Sequence, residues 1–432
     1  MDPIESLLAR RVWDSRGHPT VEVEVATASG ARGRAVAPAG ASRGTREATD
    51  LRDGGARLGG LDVQGALRGL RERVAPALRG RDVADQAGAD GALLALDGTP
   101  LKSALGGNAT VAASLAVLHA AAASAGRPLW AQVAEGWGRA PSVPLPEIQI
   151  FGGGAHAGRR TDIQDFMVVV PGAAGFDEAL EVTAEVYRAA GSIMRRRGVA
   201  AGVADEGGWW PSFDSNEAAL ETLVEAIRLA GEEPGGRVAI SLDVAASEFG
   251  RAGRYRLALD GRTLDREGMV ALVGGWLDRF PIASVEDPLA EDDPEGLAAF
   301  TALHGDRVQV VGDDALVTDA RLVREAAARG ACNAVLLKVN QAGTASEAVE
   351  CLRAADAAGF GAIVSARSGE TEDVSVAHLA VGLGAGQVKV GSIARGERTA
   401  KWNELLRIAE DPGAGAFAGR RPLRGIHGGG TR

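Results

Sequence analysis

The chain has 432 residues, 46% of them hydrophobic and 24% charged, enough apolar material for a large core in two or three domains. Its net charge of −10, from 47 Lys plus Arg against 57 Asp plus Glu, argues against a broad nucleic-acid footprint. Cys332 and Cys351 are too few for a disulfide scaffold or a multi-cysteine metal centre, and neither a run of about 18 apolar residues nor a leader pattern points to a membrane, so a cytoplasmic protein without nucleic-acid or membrane partners is expected.

Thr20 to Ala26 alternate apolar and polar side chains, the pattern of a strand with one buried face. Ser29-Gly30 can turn the chain and Gly33 to Val36 can return it, after which a Gly/Ala/Ser-rich loop runs from Ala37 to Gly44. Val63, Leu67, Leu70, Val74 and Leu78 recur at helical spacing, as do Val111, Leu115 and Leu118, whose helix carries His119 as a packing residue. Pro141, Pro144 and Pro146 mark a junction, so residues 1–138 read as an α+β domain and 139–432 as a second domain.

Beyond the junction, short β-branched runs alternate with helical patterns over 318–329, 343–358 and 372–384. The runs end at Asp243, at Glu286, at Asp313-Asp314, at Lys338 and at Arg367-Ser368, and Val388 leads into Lys389. Repeated strand–helix units of this length predict an α/β protein with a TIM-like barrel, in which the carboxyl ends of the strands carry the working residues. A single acid after a strand is commonly a helix cap, but acids and lysines at successive strand ends are not explained that way. Converging carboxylates repel unless a cation neutralises them, and an all-oxygen ligand set suits Mg²⁺. Arg367 offers a planar fork for phosphate or carboxylate. Neighbouring positive charge should lower the pKa of a lysine here, letting it take the proton α to a metal-bound carboxylate.

The motifs Asp14-Ser15-Arg16-Gly17, Val203-Ala204-Asp205-Glu206-Gly207-Gly208, Ser284-Val285-Glu286-Asp287, Gly312-Asp313-Asp314 and Arg367-Ser368-Gly369-Glu370-Thr371-Glu372-Asp373 stand in order along the chain. From about residue 8 to residue 410 the sequence resembles the enolase (phosphopyruvate hydratase) family. That resemblance implies an N-terminal α+β cap, a modified β/α barrel that opens with antiparallel strands, two Mg²⁺ ions, a small anionic phosphorylated or phosphonate substrate, and a homodimer or higher oligomer. Carried over by position, Asp243, Glu286 and Asp313 match the ligands of the tighter metal, and Ser42 matches the loop serine at the second. Lys338 matches the base at C2, Glu206 the acid that helps hydroxide leave C3, and Lys389 the lysine on the substrate carboxylate. Arg367 and Ser368 match the phosphate contacts, and His156 and Gln164 match polar residues of the closing loop.

The departures from the family pattern fall at the same pocket. The family's Ser-Gly-Ala-Ser-Thr is Ala39-Gly40-Ala41-Ser42-Arg43, and its Asn-Gly-Gly-Glu-His is Gly152-Gly153-Gly154-Ala155-His156. A catalytic glutamate becomes Asp165, the histidine of Ser-His-Arg-Ser becomes Ala366, and the threonine after the carboxylate lysine becomes Val390. Asp165 is shorter by about 1.5 Å. Ala366 leaves a ring-sized space, and Arg43 adds a positive charge. An enlarged, more cationic pocket suits a substrate with an extra anionic group. In phosphinothricin-type biosynthesis an enolase-like activity dehydrates such a phosphonoformyl analogue of phosphoglycerate to carboxyphosphonoenolpyruvate, with Arg43 here placed to meet the added carboxylate. A glycolytic enolase and a non-catalytic enolase-like binding protein are the alternatives. The Gly/Arg-rich tail from Asp411 carries no assigned function.

Overall fold

The computed structural model describes residues 1–423. Three antiparallel strands, β1 (Ile4–Trp13), β2 (Pro19–Thr27) and β3 (Arg32–Val36), form the N-terminal sheet. The alternation read in 20–26 is β2, whose Val21, Val23 and Val25 are fully buried. Helix Gly107–Ser124 lies across β2 and β3 and is buried along nearly its whole length. Gly33 is the point of closest approach: a Cβ there would collide with the backbone of Ala116 and Ala120. The periodic stretch around Val63 to Leu78 is a helical rod over 64–78 that includes a π turn at Leu70–Val74.

The second part is a closed eight-stranded barrel. Its strands are β4 (Leu145–Gly152), β5 (Asp165–Val169), β6 (Ala239–Asp243), β10 (Ile282–Glu286), β11 (Gln309–Gly312), β12 (Ala334–Leu337), β13 (Gly361–Ser365) and β14 (Gly386–Ser392). Strands β7 (Gly250–Arg251), β8 (Arg254–Leu257) and β9 (Arg262–Asp265) form a small separate sheet that lengthens the connection from β6 to β10. Every barrel neighbour pair is parallel except those of β5, which runs antiparallel to both β4 and β6. Two helices, Phe176–Arg196 and Asn216–Leu229, separate β5 from β6. The helical patterns read further on are the helices Ala320–Arg329, Ala345–Ala358 and Ser375–Gly382. Asp319 accepts from the amides of Arg321 and Leu322 at the start of the first of these, and Gly330 ends it at φ 65°.

Because β5 is reversed, its first residue, Asp165, lies level with Asp243, the last residue of β6. The apolar cluster of Leu145, Val169, Ala239, Ala283 and Leu423 occupies the opposite end of the barrel. The mouth is covered by the N-terminal part. Ala39 and Gly369 exchange both backbone hydrogen bonds (2.8 and 2.9 Å), and Ala48 N–H donates to Gln341 O at 2.8 Å. His119 takes its expected packing place at this junction, with Nε2 2.8 Å from Ser375 Oγ. Among the described residues no single helix is long and apolar enough to cross a membrane. Of the Gly/Arg-rich tail, residues 424–432 lie outside the described residues.

Candidate active site

Asp243 and Glu286 are the last residues of β6 and β10, and Asp313 and Lys338 directly follow β11 and β12. All four are buried in a medium where like charges must be balanced. Lys389 Nζ lies 2.8 Å from both Asp243 Oδ2 and Glu286 Oε2. Lys338 Nζ pairs with Asp313 Oδ2, whose Oδ1 accepts from Gln341 Nε2 at 2.8 Å. Gln164 Nε2 donates to Asp243 Oδ2 at 3.1 Å. The three acids therefore face the mouth without closing on one another, since the two lysines take up one side of them. Burial and the charge of Asp243 push the Glu286 carboxyl well above the usual range, and its Oε1 has no partner. A cation would relieve both features, and the oxygen donor set fits Mg²⁺. A tighter acidic group, Asp287, Asp313 and Asp314, is stapled internally: Asp287 accepts from the amides of Asp313 (3.0 Å) and Asp314 (2.7 Å).

The lysine expected to have a lowered pKa has a raised one. Burial is the largest single effect and disfavours the charged Lys338, but the carboxylates around it, Asp313 first and Glu286 after it, together prevail over burial and over the opposing charges of Arg367 and Lys389. The expectation counted neighbouring cations and left out the carboxylate in contact.

On another wall, His156 sits on the Gly-rich turn after β4. Its Nδ1 is 3.1 Å from Asp165 Oδ1, its Nε2 is 3.0 Å from Ser368 Oγ, and Glu206 Oε1 is 3.6 Å from Nε2. Burial opposes protonation of this ring, but Glu206 and Asp165 prevail and its pKa rises to about 9. Burial raises Glu206, yet His156 and Arg398 draw it below the usual carboxylate range. Asp165 stays above its usual value because burial outweighs His156. Between His156 and Glu206, the shifts favour the proton on His156.

Arg367 makes a bidentate contact with Glu47 (3.0 and 3.1 Å) and donates to Ser42 O at 3.1 Å. Fully buried Arg398 holds this corner from behind, donating to Arg367 O at 2.6 Å and Val390 O at 2.9 Å. One cleft brings together Ser42, His156, Glu206, Lys338, Arg367 and Lys389, and Ala366 and Val390 form an apolar stretch of its lining. Arg43 stands apart. Its guanidinium is 3.6 Å from Asp50, its side chain is 49% exposed, and it does not line the cleft. The structure does not bring Arg43 to the cleft with its sequence neighbour Ser42, and Asp50 supplies its opposite charge outside.

Sequence reading missed Glu47, Gln341, Arg398 and Gln149, all within this network. Glu47 lies three residues past the Gly/Ala/Ser loop, and Arg398 two residues into a helix, so neither spacing nor composition marks them. Residues 4–133 match the family model of the enolase N-terminal domain, and residues 140–425 match that of the enolase C-terminal TIM barrel domain. With cap, reversed second barrel strand and strand-end acids all in place, the chain belongs to the enolase family of hydro-lyases.

Proposed function

We propose that the protein removes water from a 2-phosphoglycerate-like substrate to give an enolpyruvate product. The supporting observation is that Lys338 and the proton-holding group of His156, Asp165 and Glu206 border one buried cleft with Arg367 and Ser368. Asp243, Glu286 and Asp313 are the residues that would hold one Mg²⁺, and Ser42 would serve a second. Bound there, the metal supplies positive charge where the substrate carboxylate gains negative charge. With the charges of Asp313 and Glu286 balanced by a bound cation, the two influences that raise Lys338 would weaken, leaving burial, Arg367 and Lys389 to favour its neutral form. The neutral amine takes the proton from C2. The electron pair left behind forms the C2–C3 double bond as hydroxide leaves C3, and the proton shared by His156 and Glu206 converts it to water. Lys389 faces the carboxylate, while Arg367 and Ser368 hold the phosphoryl group. Purified protein with Mg²⁺ should form the enolpyruvate product, and chelation should stop it; no elimination on any phosphoglycerate analogue would refute the reading.

A more specific substrate is favoured by the pocket wall. Small Ala366 and apolar Val390 sit beside Arg367 and Ser368, which supports a phosphorus group larger than a phosphate, such as the phosphonoformyl analogue that gives carboxyphosphonoenolpyruvate. Arg43 has no part in this version. The analogue should be used well and 2-phosphoglycerate poorly; the reverse order would restore ordinary enolase activity. Family membership also supports a cytoplasmic homodimer, which light scattering tests through the mass in solution.

A further inference from the structure

Gln149 is fully buried on β4, and the mechanism above gives it no task. Its Nε2 donates to Asp165 Oδ1, the same oxygen that faces His156. Its Oε1 accepts from Gly208 N–H at 2.8 Å. A carboxylate can only accept and a backbone amide can only donate, so both contacts require the same orientation of the side-chain amide. Gly208 closes the turn that carries Glu206, with Ala204 N–H donating to Gly208 O at 2.8 Å. The second glycine of that turn is required by the contact: a Cβ on Gly208 would stand 2.5 Å from Gln149 Oε1 and 2.8 Å from Gly152 N.

We propose that Gln149 is a positioning residue whose single amide ties Asp165 to the Glu206 turn, with a length matched to the short aspartate. The long glutamine covers the distance that a shorter carboxylate leaves open, so the sum of the two side chains is what the site specifies. Asp165 Oδ2, which has no hydrogen-bond partner, is thereby held on the side of Lys389, whose Nζ lies 3.9 Å away. The inference rests on the proposed elimination for its kinetic consequences, though not for its geometry.

The test is a length exchange. Gln149→Asn and Asp165→Glu are made singly and together, and two rates are read with Mg²⁺ and 2-phosphoglycerate or its phosphonoformyl analogue. One is elimination; the other is deuterium uptake at C2 of unconverted substrate. Gln149→Asn should lower elimination about 100-fold, as expected when a catalytic group is misplaced by about an ångström, and leave exchange within about threefold. The double variant should regain elimination to within about tenfold of wild type. Equal loss of both rates in Gln149→Asn, or no regain in the double variant, would overturn the proposal. Crystal structures of the variants decide it independently of activity. Loss of the Asp165–His156 contact in Gln149→Asn and its return in the double variant support the proposal, and an undisturbed contact in the single variant refutes it. A single variant that does not fold leaves the double to decide by the same contact. Wild-type protein inert in both assays would count against the reaction, while the contact would still decide the role of Gln149.

Discussion

Lys338 keeps its charge in a buried cleft because Asp313 touches it and Glu286 lies near, and that pairing sets the first expectation. Lys338→Ala should abolish exchange at C2 and leave Mn²⁺ binding, followed by electron paramagnetic resonance, within about threefold. Loss of metal binding would mean the lysine organises the acids instead. Ala366→His should refill the wall beside Arg367 and shift preference toward 2-phosphoglycerate by about tenfold, whereas Arg43→Thr should leave preference unchanged, both read from kcat/KM. An effect of Arg43→Thr as large as that of Ala366→His would return Arg43 to the site. His156 has a folded pKa of about 9 against 6.5 for the free ring. A raised value means the folded state holds the proton more tightly, so this residue contributes stability fully below pH 6.5 and loses it as pH climbs through about 9. Urea midpoints across that range should fall in wild type and be flatter in His156→Gln; identical slopes would remove His156 from the account. At this scale, residues carried by the barrel strands could be read in sequence, since the strand-end acids Asp243 and Glu286 both come within 2.8 Å of Lys389 on β14. Glu47, Gln149 and Arg398 could not, because each acquires its role from a partner far along the chain.

Elements were legible where apolar and polar side chains part onto two faces, as in β2, whose valines turn to one side and whose Glu22 and Glu24 pair with arginines on the other. β2 alternates because one of its faces meets the helix Gly107–Ser124, and the surface helices outside the barrel show their apolar stripes. β4 escaped because it is buried on both faces and turns polar Glu147 and Gln149 inward, where Ser241 donates to Glu147. With Pro146 near its start and glycines at its end, it reads as a loop. β5 is short and reversed, and no local pattern announces reversal. The cap sheet also makes a prediction. Gly33→Ala would drive a methyl group into the backbone of Ala116 and Ala120 and should destabilise the fold by about 3 kcal/mol, seen as a lower urea midpoint. An unchanged midpoint would show that β3 can move away from the helix.

At the scale of the molecule, the site exists only while cap and barrel are joined. Lys102 bridges to Glu347 at 2.5 Å, Asp90 accepts from Ser346 Oγ at 2.6 Å, and Val36 N–H donates to Asp373 at 2.8 Å. Ser42 and Glu47 come from the cap, and the acids and lysines from the barrel. A cation that relieves the crowded acids binds the folded state alone, so Mg²⁺ should raise Tm progressively with concentration and a chelator should reverse the gain. The most direct measurement of the central claim is solvent deuterium entering C2 of the substrate, followed by proton NMR with Mg²⁺ for wild type and Lys338→Ala. The arrangement of Lys338 among Asp313, Glu286 and Arg367 requires rapid exchange in wild type and none in the variant. Equal exchange in both proteins would contradict it.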